Sequence, residues 1–327
     1  MQEAGDRLLP ENQTRYTDLF PHLKFDQGFY ESWGVSNIRQ SNDGSYVDLT
    51  LDKNSGSGFT SQDKYYHGFF SAAIKLPSSY SAGIVVALYM SNADAYPHNH
   101  DEIDFEFLGH VKRKEWVLQT NIYGNGSVGE GKEERFHLWF DPSQQFHQYS
   151  ILWNDHHIVF FVDNIAIREV NHSQGIGGAY AAKPMSVCST IWDGSKWATN
   201  GGRDGVNYKY APFVASFTGL ELVGCVWNQS QSAAACSGRG DGSGIDPING
   251  GDFVRLSDQQ RTGMEWARKK YMSYSYCQDP NRFTVMPPEC KYQREVGFLE
   301  DGADDSWMND ITMMPPLPKH GSSKKGH

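Results

Sequence analysis

Before residue 255 the chain carries almost no helical periodicity. Short runs alternating apolar and polar residues recur instead, broken by Gly, Asn-Asp, Asp-Pro and Pro at the spacings of an antiparallel sandwich. The pattern predicts strands at Tyr46–Leu51, Tyr66–Lys75, Gly83–Tyr89, Glu102–Leu108, Val117–Tyr123, Phe136–Asp141, His147–Asn154, Ile158–Val162, Ala166–Val170, Met185–Ile191, Phe213–Leu222 and Met272–Tyr276. Asp163-Asn164 between two apolar runs reads as a tight hairpin turn. One helix is expected: Ser257 with Gln260 forms a capping box, and Met264, Ala267 and Tyr271 follow on one helical face. The expected fold class is all-β, an antiparallel β-sandwich with a short C-terminal helix and extension. The expected division is an N-terminal segment at 1–20, a sandwich at 21–222, a C-terminal extension at 223–292 and a disordered tail at 293–327. Ser237–Gly251, rich in Gly, Asp and Ser, reads as a mobile loop.

Composition excludes several classes. With 39% hydrophobic and 21% charged residues in 327, a sizeable core can form. No run of eighteen apolar residues occurs, so no membrane span is expected. The net charge is −10 and no Lys/Arg cluster could neutralise a phosphate backbone, which argues against nucleic acid as a partner. Nine Trp, 17 Tyr and 18 Phe among 33 Gly suit a sandwich that presents aromatic faces to carbohydrate.

Five cysteines allow many pairings. The economical one closes two short loops, Cys225 with Cys236 and Cys277 with Cys290, and leaves Cys188 alone in the apolar stretch Met185-Ser186-Val187-Cys188. Sequons stand at Asn12, Asn125, Asn171 and Asn228. Together these features favour a secreted protein. Gln2-Glu3-Ala4-Gly5 is polar, so a secreted form would be mature or trimmed.

The chemistry concentrates in His98-Asn99-His100-Asp101-Glu102-Ile103-Asp104-Phe105-Glu106-Phe107-Leu108-Gly109. Strand alternation places Ile103, Phe105 and Phe107 on one face and Glu102, Asp104 and Glu106 on the other. Three anions roughly 6.6 Å apart at Cα repel, so at least one pKa must rise. A protonated carboxyl beside an ionised one is what glycosidic cleavage needs. Two plainer readings compete. Alternating acids commonly mark the solvated face of an amphipathic strand. His98, His100 and Asp101 with the acids could also supply metal ligands, although one strand rarely wraps a metal. No metal or cofactor is expected.

The run His100–Gly109 resembles the active-site signature of the plant xyloglucan endotransglucosylase/hydrolases of glycoside hydrolase family 16. Downstream stretches keep the family order: Gln119-Thr120-Asn121, Leu138-Trp139-Phe140-Asp141-Pro142, Phe146 to Trp153, Phe161-Val162-Asp163 with Ile167-Arg168, and Ile191 to Gly202. The Cys277/Cys290 terminus does so too, and the resemblance runs from about Phe20 to Tyr292. Asn125-Gly126-Ser127, displaced from the signature, and the Trp-Asp-Gly-Ser-Lys-Trp loop are nearest the family's third subgroup.

The resemblance implies a concave jelly-roll, concanavalin-like sandwich whose groove holds a β-1,4-glucan backbone. It implies Glu102 as nucleophile, Glu106 as acid/base and Asp104 as the residue that tunes them. Gln119, Asn121, Lys132, Glu133, Lys196, Trp197, Gly202 and Arg282 fall at its sugar-contacting positions; Lys132 and Lys196 depart from its common Arg and Asp. The implied enzyme is a monomer of the cell wall or apoplast. It transfers a xyloglucan donor to a xyloglucan or oligosaccharide acceptor. A predominant hydrolase and a non-catalytic wall-binding module are the alternatives.

Overall fold

The computed structural model describes residue 10 and residues 15–111, 115–127, 131–172, 180–227 and 248–290. Among them, the early strands are β1 (Phe29–Trp33), β2 (Ile38–Gln40), β3 (Tyr46–Leu51), β4 (Ser57–Lys75), β5 (Ile84–Ser91), β6 (Glu102–Leu108) and β7 (Val117–Tyr123). β8 (Glu134–His137), β9 (His147–Trp153), β10 (His157–Val162), β11 (Ile165–Asn171), β12 (Met185–Asp193), β13 (Phe213–Val226) and β14 (Met272–Ser275) follow. All pairings are antiparallel, along the path β11-β10-β9-β4-β12-β5-β6-β7-β8-β14, with β13, β3 and β2 beyond the second half of β4. The all-β class and the C-terminal helix (Asp258–Tyr271, capped by Ser257 and Gln260) are as expected.

The nineteen-residue β4 makes the sandwich. Its first half pairs with β1 and β12, and its second half with β9 and β13, so one strand passes from one layer to the other. The corner is at Gly68, opposite Gly224. A Cβ at Gly68 would lie 2.0 Å from the Phe70 ring, and one at Gly224 would lie 2.1 Å from the His67 carbonyl. Between the layers, Phe105 and Phe107 of β6 meet Phe160 and Tyr149 edge-on, with centroids 5.0 and 4.6 Å apart.

A second apolar cluster lies on the outer face of β9 and β10. There Leu152, Val159 and Phe161 are covered by Tyr16, Leu256 and Met264, so the N-terminal segment and the helix cap that face. Asp163 and Asn164 both have positive φ (48° and 63°), the conformation a two-residue hairpin requires.

Two local expectations are corrected, and two strands were not foreseen. β4 begins nine residues earlier than predicted, at Ser57. β8 runs from Glu134 to His137 instead of Phe136–Asp141, because Leu138, Trp139 and Phe140 leave the ladder to pack as aromatic cover against the core and Trp266. β1 and β2 carry no clean alternation and escape the pattern. Most of the expected loop at Ser237–Gly251 and the whole tail at 293–327 lie outside the described residues, as do Cys236, Asn12 and Asn228. Cys277 and Cys290 are bonded, Cys225 is disulfide-bonded, and Cys188 is a free, buried thiol. Among the described residues no helix is long and apolar enough to cross a membrane.

Candidate active site

β6 is anchored on both sides, by β5 and β7, and from below by Ile103, Phe105 and Phe107, all fully buried. Alternation leaves Glu102, Asp104 and Glu106 on the other face. They are not a solvated face: Asp104 is buried and both glutamates are half-buried. The register sets each acid in a row across neighbouring strands. Glu102 lies between Ser91 and Tyr123, Asp104 between Tyr89 and Asn121, and Glu106 between Ala87 and Gln119. The Asp104 row continues through Tyr89 to Cys188 and Thr60.

Burial dominates the electrostatics. It pushes Glu102 up to about 7, against a hydrogen bond from Ser91 and with the charge of Glu106 adding to the rise. Glu106 also rises to about 7 through burial, opposed by the Gln119 amide. Asp104 is pushed well above the carboxylate range by burial and then by both glutamates and Glu133, with Arg168 opposing. The ridge therefore holds protons at neutral pH that isolated carboxyls would have lost.

The neighbouring wall is a hydrogen-bonded lattice. Gln119 donates to Glu106 Oε2 at 2.6 Å and accepts from Arg135 Nε at 2.8 Å. Asn121 donates to the Tyr123 hydroxyl at 2.7 Å and accepts from the Lys132 amide at 2.8 Å. Lys132 Nζ lies 2.7 Å from Glu289, and Arg282 donates to both oxygens of Glu133 at 2.8 and 2.9 Å. Lys132, Glu133, Gln119, Asn121 and Arg282 thus come together beside the ridge, held in part by the C-terminal extension.

The loop after β12 closes one end of the same face. Val85, Leu108 and Val117 continue the even-numbered face of β6 beyond Glu106. Val85 and Leu108 are buried beneath Ala198, with Trp192 and Trp197 packed against them. The two indoles lie 5.9 Å apart. Lys196 is exposed. Gly202 has φ 85°, and a Cβ there would meet the Lys196 carbonyl at 2.3 Å; the chain itself takes the room that the missing side chain leaves.

Asp101, weighed as a metal ligand, is consumed otherwise. It accepts from the Asn125 amide at 2.7 Å, from the Ala182 and Lys183 amides at 2.8 Å, and from Lys183 Nζ at 2.5 Å. His98 is exposed, and His100 Nε2 stands 3.7 Å from Glu102. Of the described sequons, Asn125 is exposed in a turn beside this anchor and Asn171 is half-buried at the end of β11. Tyr89, Ser91, Tyr123, Arg135 and Trp192 were not singled out from sequence. The even-odd parity of β5 and β12 would have found Tyr89, Ser91 and Trp192 once the strand order was known.

Residues 25–210 match the family model "Glycosyl hydrolases family 16", and residues 248–290 match "Xyloglucan endo-transglycosylase (XET) C-terminus". Two Arabidopsis thaliana proteins are similar over 270 residues, or 83% of this chain. "Probable xyloglucan endotransglucosylase/hydrolase protein 28" is 52% identical, with 80% of its own length covered. Protein 27 of the same series is 53% identical, with 79% covered. Among solved structures, a prokaryotic β-1,3-1,4-glucanase (lichenase) from a mouse hindgut metagenome aligns with 60% of this chain and 94% of its own. Its identity is 24% and its TM-score 0.48. With the acid ridge in place and both models matched, the chain belongs to glycosyl hydrolase family 16, among the xyloglucan endotransglucosylase/hydrolases.

Proposed function

We propose that this protein is a xyloglucan endotransglucosylase acting by a retaining mechanism in the plant cell wall. The observation that carries the reading is the ridge: three acids on one strand face, sharing raised pKa values, beside a wall of ordered amides. In the first step the Glu102 carboxylate attacks the anomeric carbon of the β-1,4-glucan backbone. The Glu106 carboxyl gives its proton to the leaving oxygen, and a glycosyl ester forms on Glu102. In the second step Glu106, now ionised, takes the proton of an acceptor hydroxyl, which attacks the same carbon and frees Glu102. Asp104, between them, adjusts the charge that both glutamates feel.

Gln119 holds the Glu106 carboxylate, and Asn121, Lys132, Glu133 and Arg282 form one wall of the groove. Trp197, with Lys196 and Gly202 in its loop, borders the face where the acceptor chain would stack. The names of the similar Arabidopsis proteins support xyloglucan as donor. Incubation with xyloglucan and a labelled oligosaccharide acceptor tests the function. Label should enter polymer while few reducing ends appear. Reducing ends without polymer label would make the protein a hydrolase, and neither product would make it a binding module.

A further inference from the structure

Arg168 is an arginine with 1% exposure in the middle of a β-sandwich. A β-bulge puts it there. The β10–β11 register shifts between Phe160 and Phe161, so Ile167 is skipped and Arg168 pairs with Phe160 on the inward face. Its guanidinium crosses the interior and lies 5.8 Å from the Phe160 ring centre and 5.7 Å from that of Tyr276. At the far side it grips the back of the catalytic sheet. One terminal nitrogen donates to the Thr120 carbonyl at 3.0 Å and the Thr120 hydroxyl at 2.9 Å; the other donates to the Lys132 carbonyl at 2.8 Å.

Those two attachment points frame the groove wall. Thr120 lies between Gln119, which holds Glu106, and Asn121, which stands opposite Asp104. Lys132 adjoins Glu133 and sends its amide to Asn121. A charged group so deep needs a partner, and its Nε stands 3.6 Å from Glu134. Glu134, however, is already bound bidentately by Arg268 of the C-terminal helix, at 2.7 and 3.0 Å, and by the Ser275 hydroxyl at 3.2 Å. Among the described residues two cations meet one anion here, which leaves positive charge under the ridge.

We propose that Arg168 is a positioning residue of the reaction: it fixes the strand and loop that carry Gln119, Asn121 and Glu133, and it supplies a positive charge beneath Asp104 that Arg268 keeps free by neutralising Glu134. This rests on the reading of the ridge as catalytic. The C-terminal helix thereby contributes to the charge of a site it does not line. Arg168 also opposes the rise of Asp104, in keeping with this placement.

The test is a kcat and kcat/KM pH profile on the full chain. Arg168→Lys keeps the charge but loses the planar fork. Its kcat should fall about tenfold through lost alignment, with the profile in place. Arg168→Met loses both: kcat should fall further, and both limbs should move to higher pH by about half a unit, because losing a nearby cation raises every macroscopic carboxyl pKa of the ridge. Arg268→Met leaves Glu134 to draw on Arg168 alone and should shift the limbs in the same direction. It also carries the test if Arg168→Met does not fold.

Ile158→Ala, a loss in the same core without a charge change, should lower the melting temperature and leave the profile unmoved. Limbs that stay put in the Met variants, or move equally in Ile158→Ala, would overturn the proposal. Turnover in Glu102→Gln would instead overturn the ridge reading, independently of Arg168.

Discussion

Gln119 donates a 2.6 Å hydrogen bond to Glu106 from the directly opposed position on β7. Its other amide atom is occupied by Arg135, so the side chain cannot swing away from the acid. A donor to a carboxylate favours the ionised form. Gln119→Leu should therefore raise the pKa of Glu106, and the basic limb of kcat/KM, where the acid must still hold its proton, should move to higher pH. An unmoved basic limb with a raised KM would make Gln119 a sugar contact and nothing more.

Glu102→Gln and Glu106→Gln preserve shape while removing the proposed nucleophile and proton donor. Each should lower activity on xyloglucan by at least about 10³-fold with the fold intact. Because the ridge is destabilised by burying three acids together, both variants should match or exceed the wild type in melting temperature at pH 8.

Glu221 offers a pH test away from the groove. Its side chain is fully buried, with the exposed His22 ring nitrogen 3.1 Å away. Burial, then the charge of Asp18, pushes it from 4.5 to about 8. The folded state thus keeps a proton that the unfolded state loses near pH 4.5, and stability from this group is lost as pH rises toward 8. Glu221→Gln removes that loss. The melting-temperature difference, variant minus wild type, should grow from pH 5 to pH 8, and transferase activity should not change. A flat difference would mean that Glu221 is ionised in the fold.

Much of the site could be read before the fold was known. Ile103, Phe105 and Phe107 alternate with the acids so strictly that β6 could face only one way, and the predicted bounds of β6 and β7 coincide with the observed ones. The hairpin at Asp163-Asn164 and the helix cap at Ser257 are local chemistry and were equally readable. Ser57–Tyr65 was not. Its polar and Gly positions resemble a loop, and only β1 and β12 on either side make it a strand. Nor could alternation foresee Arg168, which a bulge turns inward, or Glu134, which two arginines make tolerable in the core. Long-range pairing decides these positions.

Trp197 tests the proposed acceptor contact against a plain packing role. It covers Val85 and Leu108 at the end of the groove face while remaining half-buried. Trp197→Ala should cost roughly 1–3 kcal/mol, less than a fully buried Trp. If it stacks on the acceptor as proposed, the substitution should also lower transfer more than donor cleavage. Equal falls in both activities with a large drop in the melt would leave Trp197 a packing residue only.

Cys277–Cys290 closes a loop of 13 residues whose Glu289 holds Lys132 and lies near the Tyr276 hydroxyl. Such a loop contributes about 3 kcal/mol at most. Mild reduction should therefore loosen the extension and raise KM before the sandwich melts. Non-reducing peptide mapping should recover Cys188 as a free thiol; finding it in a disulfide would contradict the buried row with Tyr89 and Thr60.

The proposed mechanism requires a covalent sugar on Glu102, and trapping it is the most direct measurement. In Glu106→Gln, an aryl xyloglucan oligosaccharide whose leaving group needs no proton should still glycosylate the enzyme, while the second step, deprived of its base, stalls. Intact mass should increase by one glycosyl unit, and the adduct should map to the peptide bearing Glu102. Azide should then release a β-glycosyl azide. An adduct on another residue, or an α-azide formed without any adduct, would contradict the account.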